Sequence, residues 1–145
     1  MSKSPIRLKK EKLILPIIIL LLIGPFFVPY IVHKVKIYRI GRSYSKVIIP
    51  QEFELTKKEK FTPSSVAPLF NDPYIVYEYN SPFDREKTRN LFLDSLSRNG
   101  IKLVYGCERL DNNGGYDCYA EGNNLQLSIS IQSSSQISIH AEDKR

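Results

Sequence analysis

Between Lys12 and His33 the chain runs for twenty residues, LILPIIILLLIGPFFVPYIV, without one charged side chain. As a helix that run is ~30 Å long at ~1.5 Å per residue, the thickness of a bilayer's hydrocarbon core. A chain of 145 residues has too little interior to hide such a run and still fill the core of a sheet, so 13–32 reads as a transmembrane helix rather than a buried one. The basic tail 1–12, with Lys3, Arg7, Lys9, Lys10 and Lys12, would also suit a cleaved signal peptide. The run exceeds the usual signal length, however, and it ends Pro-Phe-Phe-Val-Pro-Tyr where cleavage needs small residues, which favours an uncleaved signal-anchor. The first cysteine is Cys107, too far on for a lipid-modified cysteine to replace the helix. Pro25 and Pro29 should kink the span, whereas Pro16 falls in its first turn, where a missing N–H costs nothing.

The net charge of +6 divides unevenly. Residues 1–46 hold ten of the 21 Lys and Arg but one of the 15 acidic residues, Glu11. The remainder is net acidic and would repel a polyanion, so no nucleic-acid partner is expected, and the lipid bilayer is the first partner the sequence names. Orientation does not follow from charge: Lys34, Lys36, Arg39, Arg42 and Lys46 after the run match the five cations before it. The cysteines described below break the tie toward a cytoplasmic N-terminus and an extracytoplasmic domain, as in a bacterial inner-membrane protein.

Residues 33–73 read as a juxtamembrane segment and linker. Val35, Ile37 and Ile40 among Lys34, Lys36 and Arg39 carry the helix into the headgroup layer, and Gly41 should stop it. The mixed stretch with Lys57, Lys58, Lys60, Pro63, Pro68 and Pro73 follows as a tether with at most one edge strand, near Glu52 to Leu55. A fragment beginning at Val47 should then fold alone.

The domain is expected at 74–141, with a charged tail at 142–145. Tyr74 to Tyr79, β-branched and aromatic, reads as a strand. Ser81 is placed to cap a helix with Pro82 at its first position and Asp84 in its first turn, while Leu91, Phe92 and Leu96 form a buried stripe. Gly100 after Asn99 is a left-handed stop that returns Ile101 to Leu96. From Ile101 the apolar period becomes two: Leu103 and Tyr105; Tyr116, Cys118 and Ala120; Leu125, Leu127, Ile129 and Ile131; Ile137 and Ile139. Turn signals at Asp111 to Gly115, Gly122 to Asn124 and Ser133 to Ser135 divide four strands. The fold class is α+β: an N-terminal transmembrane helix, then a two-layer domain with one helix packed on a mainly antiparallel sheet, in the order β-α-β-β-β-β. Over Tyr77 to Tyr105 the aromatic strand, Ser-capped helix and Leu-x-x-x-Gly turn resemble small extracytoplasmic domains of bacteria.

Little here points to chemistry. Cys107 and Cys118 flank a hairpin turn that sets them opposite one another, and a disulfide closing that loop would contribute roughly 3 kcal/mol. Two packed thiols are the alternative; a redox pair would need Cys-x-x-Cys. No metal or other cofactor is expected, since beyond the cysteines only His33 and His140 are available as soft ligands. Asp111, Asn113 and Asp117 lack the glycine a calcium loop requires at Tyr116. No catalytic residue is assigned, because His140 has no motif partner. Tyr74 and Tyr119 lie on the phase opposite the buried one and are the candidate interaction surface. The expected function is a single-pass membrane-anchored, non-catalytic interaction domain docking on another membrane or envelope protein. A small anchored hydrolase is the alternative, favoured by a deep pocket that gathers His140 with Asp and Ser groups.

Overall fold

The computed structural model describes residues 6–63, 72–109 and 114–144. The expectations for tail residues 1–5, linker residues 64–71, turn residues 111–113 and Arg145 lie outside them.

Helix α1 (Ile6–Tyr44) is longer than the apolar run and passes straight through Gly41. The reason is a second pattern laid over the first. His33, Ile37, Ile40 and Tyr44 recur at steps of four, three and four, which makes one helical stripe, and all four are buried. Gly41 lies beside that stripe with its Cα turned to Ile75, so it marks a contact and not an end. Upstream, Ile17, Leu21, Leu22, Phe27 and Val28 stay exposed, Leu21 by 69%. The arms Pro16–Gly24 and Phe27–Tyr44 meet at 58°, so the helix bends between Gly24 and Phe27, within the stretch where a proline kink was expected. Among the described residues no single helix is long and apolar enough to cross a membrane; the bent pair together is, by length and composition.

Six strands form one sheet: β1 (Glu54–Phe61), β2 (Tyr74–Asn80), β3 (Lys102–Arg109), β4 (Tyr116–Gly122), β5 (Leu125–Ile131) and β6 (Gln136–Asp143). Their spatial order is β1-β2-β6-β5-β4-β3, every pair antiparallel. Helix α2 (Arg85–Arg98) carries the chain from β2 to the far edge, and the meander β3 to β6 brings it back beside β2. The domain is thus α+β as expected, but two helices cover the sheet, since the end of α1 packs on β2, β6 and β5. Segment 33–73, expected to continue the helix to Ile40 and then run as a tether with at most one edge strand near Glu52 to Leu55, supplies a longer helix end, to Tyr44, and a longer edge strand, β1 at Glu54–Phe61. Strand β1, all exposed and rich in lysine, has no apolar alternation to betray it. It is held by its ladder to β2 and guards the sheet edge with Lys57, Lys58 and Lys60.

Helix α2 differs from expectation in its cap. Asp84, not Ser81, is the N-cap, its carboxylate accepting from the Lys87 N–H at 2.9 Å. Ser81 works one step earlier: its hydroxyl accepts from the Phe83 N–H at 3.2 Å and from Thr88 Oγ1 at 2.6 Å, fixing how the chain enters the helix. The C-terminus is as read. Gly100 has φ 70°, and the Ile101 and Gly100 N–H groups donate to the carbonyls of Leu96 and Ser97, both at 3.0 Å. Phe92 and Leu96 enter the core with Ile75, Leu125, Leu127, Ile137 and Ile139. Segment 47–53 straps α2 down, with Asn99 bonded in both directions to Ile48.

The join between α1 and the sheet is aromatic. Tyr44 stacks on Tyr77 at 3.8 Å, and its buried hydroxyl donates to Tyr79 at 3.3 Å. Lys36 pairs with Asp72 at 2.7 Å and Arg39 with Asp143 at 3.4 Å, minor terms beside the burial. Burial pushes the Tyr77 phenol up to about 12, and burial with its neighbour Tyr79 raises Tyr44 well above the ordinary 10.0. Folded values above unfolded ones mean that this stabilisation is intact below about pH 10 and is lost as pH rises toward 12. Thermal melts from about pH 8 to about pH 12 should therefore fall in midpoint above pH 10, less steeply for Tyr77→Phe. A midpoint equally pH-dependent in that variant would contradict the assignment.

Candidate binding face

Strand alternation that buries Ile75, Tyr77 and Tyr79 under the helices sends the intervening residues to the other face. That face has no layer over it among the described residues. Cross-strand register sets one row across all six strands: Glu59, Val76, His140, Ser128, Tyr119 and Tyr105. A second row beside it includes Ser138, Ser130 and Asp117.

Rings gather at both ends of these rows. Phe61 stacks on Tyr74 at 4.6 Å and Tyr105 on Tyr119 at 5.0 Å, while His140 lies 3.9 Å from Tyr74 with its ring tilted by 40°. Between them lies an open trough of about 430 Å³ lined by Tyr105, Asp117, Tyr119, Ser128, Ser130 and Ser138 with His140. The two tyrosines singled out in the sequence, Tyr74 and Tyr119, therefore share this face but not one cluster. Each heads its own aromatic group, and both are half-buried.

The charged groups on the face are mostly engaged. Lys144 hydrogen-bonds Glu121 and holds that carboxyl below the usual range. Desolvation and the Glu121 carboxylate raise the Tyr119 phenol. His140 Nε2 lies 3.2 Å from Glu142 Oε1, without hydrogen-bond geometry. Among the described residues no hydrogen bond joins the imidazole to a serine hydroxyl, and no group of three or more His, Cys, Asp or Glu could hold a metal ion. Sequence reading left His140 and the three serines as wet positions of their strands. Only register, which sequence does not state, brings them together.

On the hairpin β3–β4 the cysteines are placed differently from expectation. Gly106, not Cys107, is the partner of Cys118, and Cys107 is the extra residue of a β-bulge with φ 65°. The sulfurs are nonetheless at disulfide distance, with Cα atoms 4.5 Å apart and both residues buried. The bulge depends on Gly106, whose φ is 85° and whose missing Cβ would strike the Asp117 carbonyl and sit 3.2 Å from Cys118 Cα. Next to it, β3 exposes Leu103, Val104 and Tyr105 along the sheet's outer edge.

The fold and this face together define a small α+β domain, two helices on one side of an antiparallel sheet and an aromatic, hydroxyl-lined trough on the other. Comparison with protein families, curated proteins and solved structures finds no match to this chain. Gly106→Ala tests the hairpin geometry: it should cost about 2 kcal/mol or more through strain and steric clash. A neutral result in urea titration would show that Cys107 does not occupy a bulge.

Proposed function

We propose that this protein is a single-pass, membrane-anchored, non-catalytic interaction module, with its domain outside the cytoplasm and docked on another envelope protein. The observation that carries the anchor is α1 itself. Its upstream arm is apolar and exposed, Leu21 by 69% and Leu22 by 67%, a surface that water would not tolerate and lipid would. The cysteine pair supports an oxidising compartment, where such a bond persists. For docking, the two sheet edges contrast. Strand β1 presents lysines, whereas β3 presents three adjacent apolar side chains and an unpaired backbone edge, the arrangement that accepts a partner's strand.

A second reading, a small anchored hydrolase, draws on the trough, which gathers His140 with Asp117, Ser128, Ser130 and Ser138. The trough is open, and the imidazole lies in tilted contact with Tyr74 rather than bonded to a nucleophile, so binding is the better account.

Three measurements on the full-length chain test the proposal. Carbonate washing should leave the protein in the membrane pellet, and acid-trapped cells should show no free thiol on Cys107 or Cys118 before reduction; release into the wash, or free thiols, overturns it. A photo-crosslinking residue in place of Val104 should give a discrete protein adduct in cells that the same residue in place of Lys58 does not. Equal adducts from both edges would remove β3 as the docking edge.

A further inference from the structure

We infer that the trough on the open face binds a neutral oligosaccharide segment about two sugar rings long. Charge decides the class first. The lining contains no Lys or Arg, so phosphorylated, sulfated and nucleic-acid ligands have nothing to pair with. Its one carboxylate is Asp117; Glu121, paired with Lys144, and Glu142, against His140, lie outside the lining.

Hydrogen bonding decides next. Ser128, Ser130 and Ser138 place three hydroxyls in the trough, and among the described residues none of them bonds another protein group. Each both donates and accepts, which matches a polyol and is wasted on an apolar ligand. The backbone groups beneath are already spent in the ladders that join β4, β5 and β6. A peptide laid across the trough would leave its own amides without main-chain partners, which argues against a protein segment at this face.

The rings supply affinity and length. Pyranoses linked through equatorial bonds present a flat C–H face that packs on an aromatic ring, an apolar contact with a preferred geometry. His140 on β6 and Tyr119 on β4 are separated by β5 alone, so they stand two strand spacings apart, about 10 Å, roughly the length of two linked pyranose rings. Each ring already has an aromatic neighbour, Tyr119 stacked on Tyr105 and His140 in tilted contact with Tyr74. Little rotamer freedom remains to be lost on binding, as suits a shallow site. Sugar binding here does not depend on the membrane anchor or on docking at Leu103 and Val104; Tyr105 is the one side chain the trough shares with the β3 edge, and the crosslink at Val104 reads docking apart from it.

The test uses full-length protein in lauryldimethylamine oxide, a detergent without a sugar headgroup. Cellotetraose, N-acetylated chitotetraose and tetralysine are probed by saturation-transfer NMR. At least one tetrasaccharide should receive saturation at its axial ring protons, with an affinity of about 10 μM to 1 mM. Tyr119→Ala and the more exposed Tyr105→Ala should each weaken binding about tenfold. Tyr119→Phe should retain most of it, and Tyr38→Ala, on α1 away from the face, should change nothing. Circular dichroism confirms that each variant is folded. Absence of transfer to either tetrasaccharide at about 10 mM overturns the inference, as does undiminished binding by folded Tyr119→Ala. Tetralysine binding in place of both sugars would also overturn it and make the face a site for cationic peptides.

Discussion

Ile37, Ile40 and Tyr44 are buried against the sheet, and they stand on the same helix as the apolar arm. Burying such side chains is worth about 1.5–3 kcal/mol each, so the three together contribute roughly 4.5–9 kcal/mol. That is close to the entire net stability of a small domain, about 5–15 kcal/mol. The end of α1 is therefore part of the core and cannot be treated as a leash. A consequence follows for anything that approaches the domain: no flexible joint separates the Phe27–Tyr44 arm from the sheet. The stacked Tyr44 and Tyr77, with the ion pairs of Lys36 and Arg39, fix the sheet's attitude to the helix axis. Where the helix points, the open face and the β3 edge are pointed too.

The far edge of the sheet is secured by different means. Strand β3 touches one neighbouring strand and carries two register shifts, so its ladder is the most interrupted in the sheet. Close packing compensates at two glycines. Gly106 lets the backbone pass Asp117 and Cys118, and Gly122 lets β4 approach Gly100 and Ile101, where a Cβ would sit 2.6 Å from the Gly100 carbonyl. The cysteine pair ties the outer end of the hairpin. These devices keep Tyr105 against Tyr119 and leave Leu103 and Val104 on the outside, so the edge that looks weakest in its ladder is the one that presents contact residues.

Much of the fold was legible because two periods are written cleanly in the chain. The step from Phe92 to Leu96 with the Asn99-Gly100 stop gives α2, and the alternation from Leu125 to Ile131 gives the meander. Two kinds of element were legible only in part. Strand β1 has no buried residue, so its place depends on β2 and not on its own sequence. The docking stripe of α1 was present at His33, Ile37, Ile40 and Tyr44, but Val35 among neighbouring cations imitates an interfacial helix and hides it. Sheet order is similar in kind: nothing in the sequence says that β2 pairs with β6 in place of β3. The candidate site suffered most. Tyr74 and Tyr119 were visible as wet-phase aromatics, whereas the grouping of His140, Ser128, Ser130 and Ser138 is a property of register.

The account stands or falls on whether the end of α1 belongs to the core. Two fragments, residues 33–145 and residues 47–145, differ only by that helix end. In urea, the longer fragment is predicted to unfold in a single cooperative transition, and the shorter one to lack a folded baseline by circular dichroism. Equal midpoints and equal slopes for the two would contradict the claim, because the domain would then need nothing from the helix that carries it.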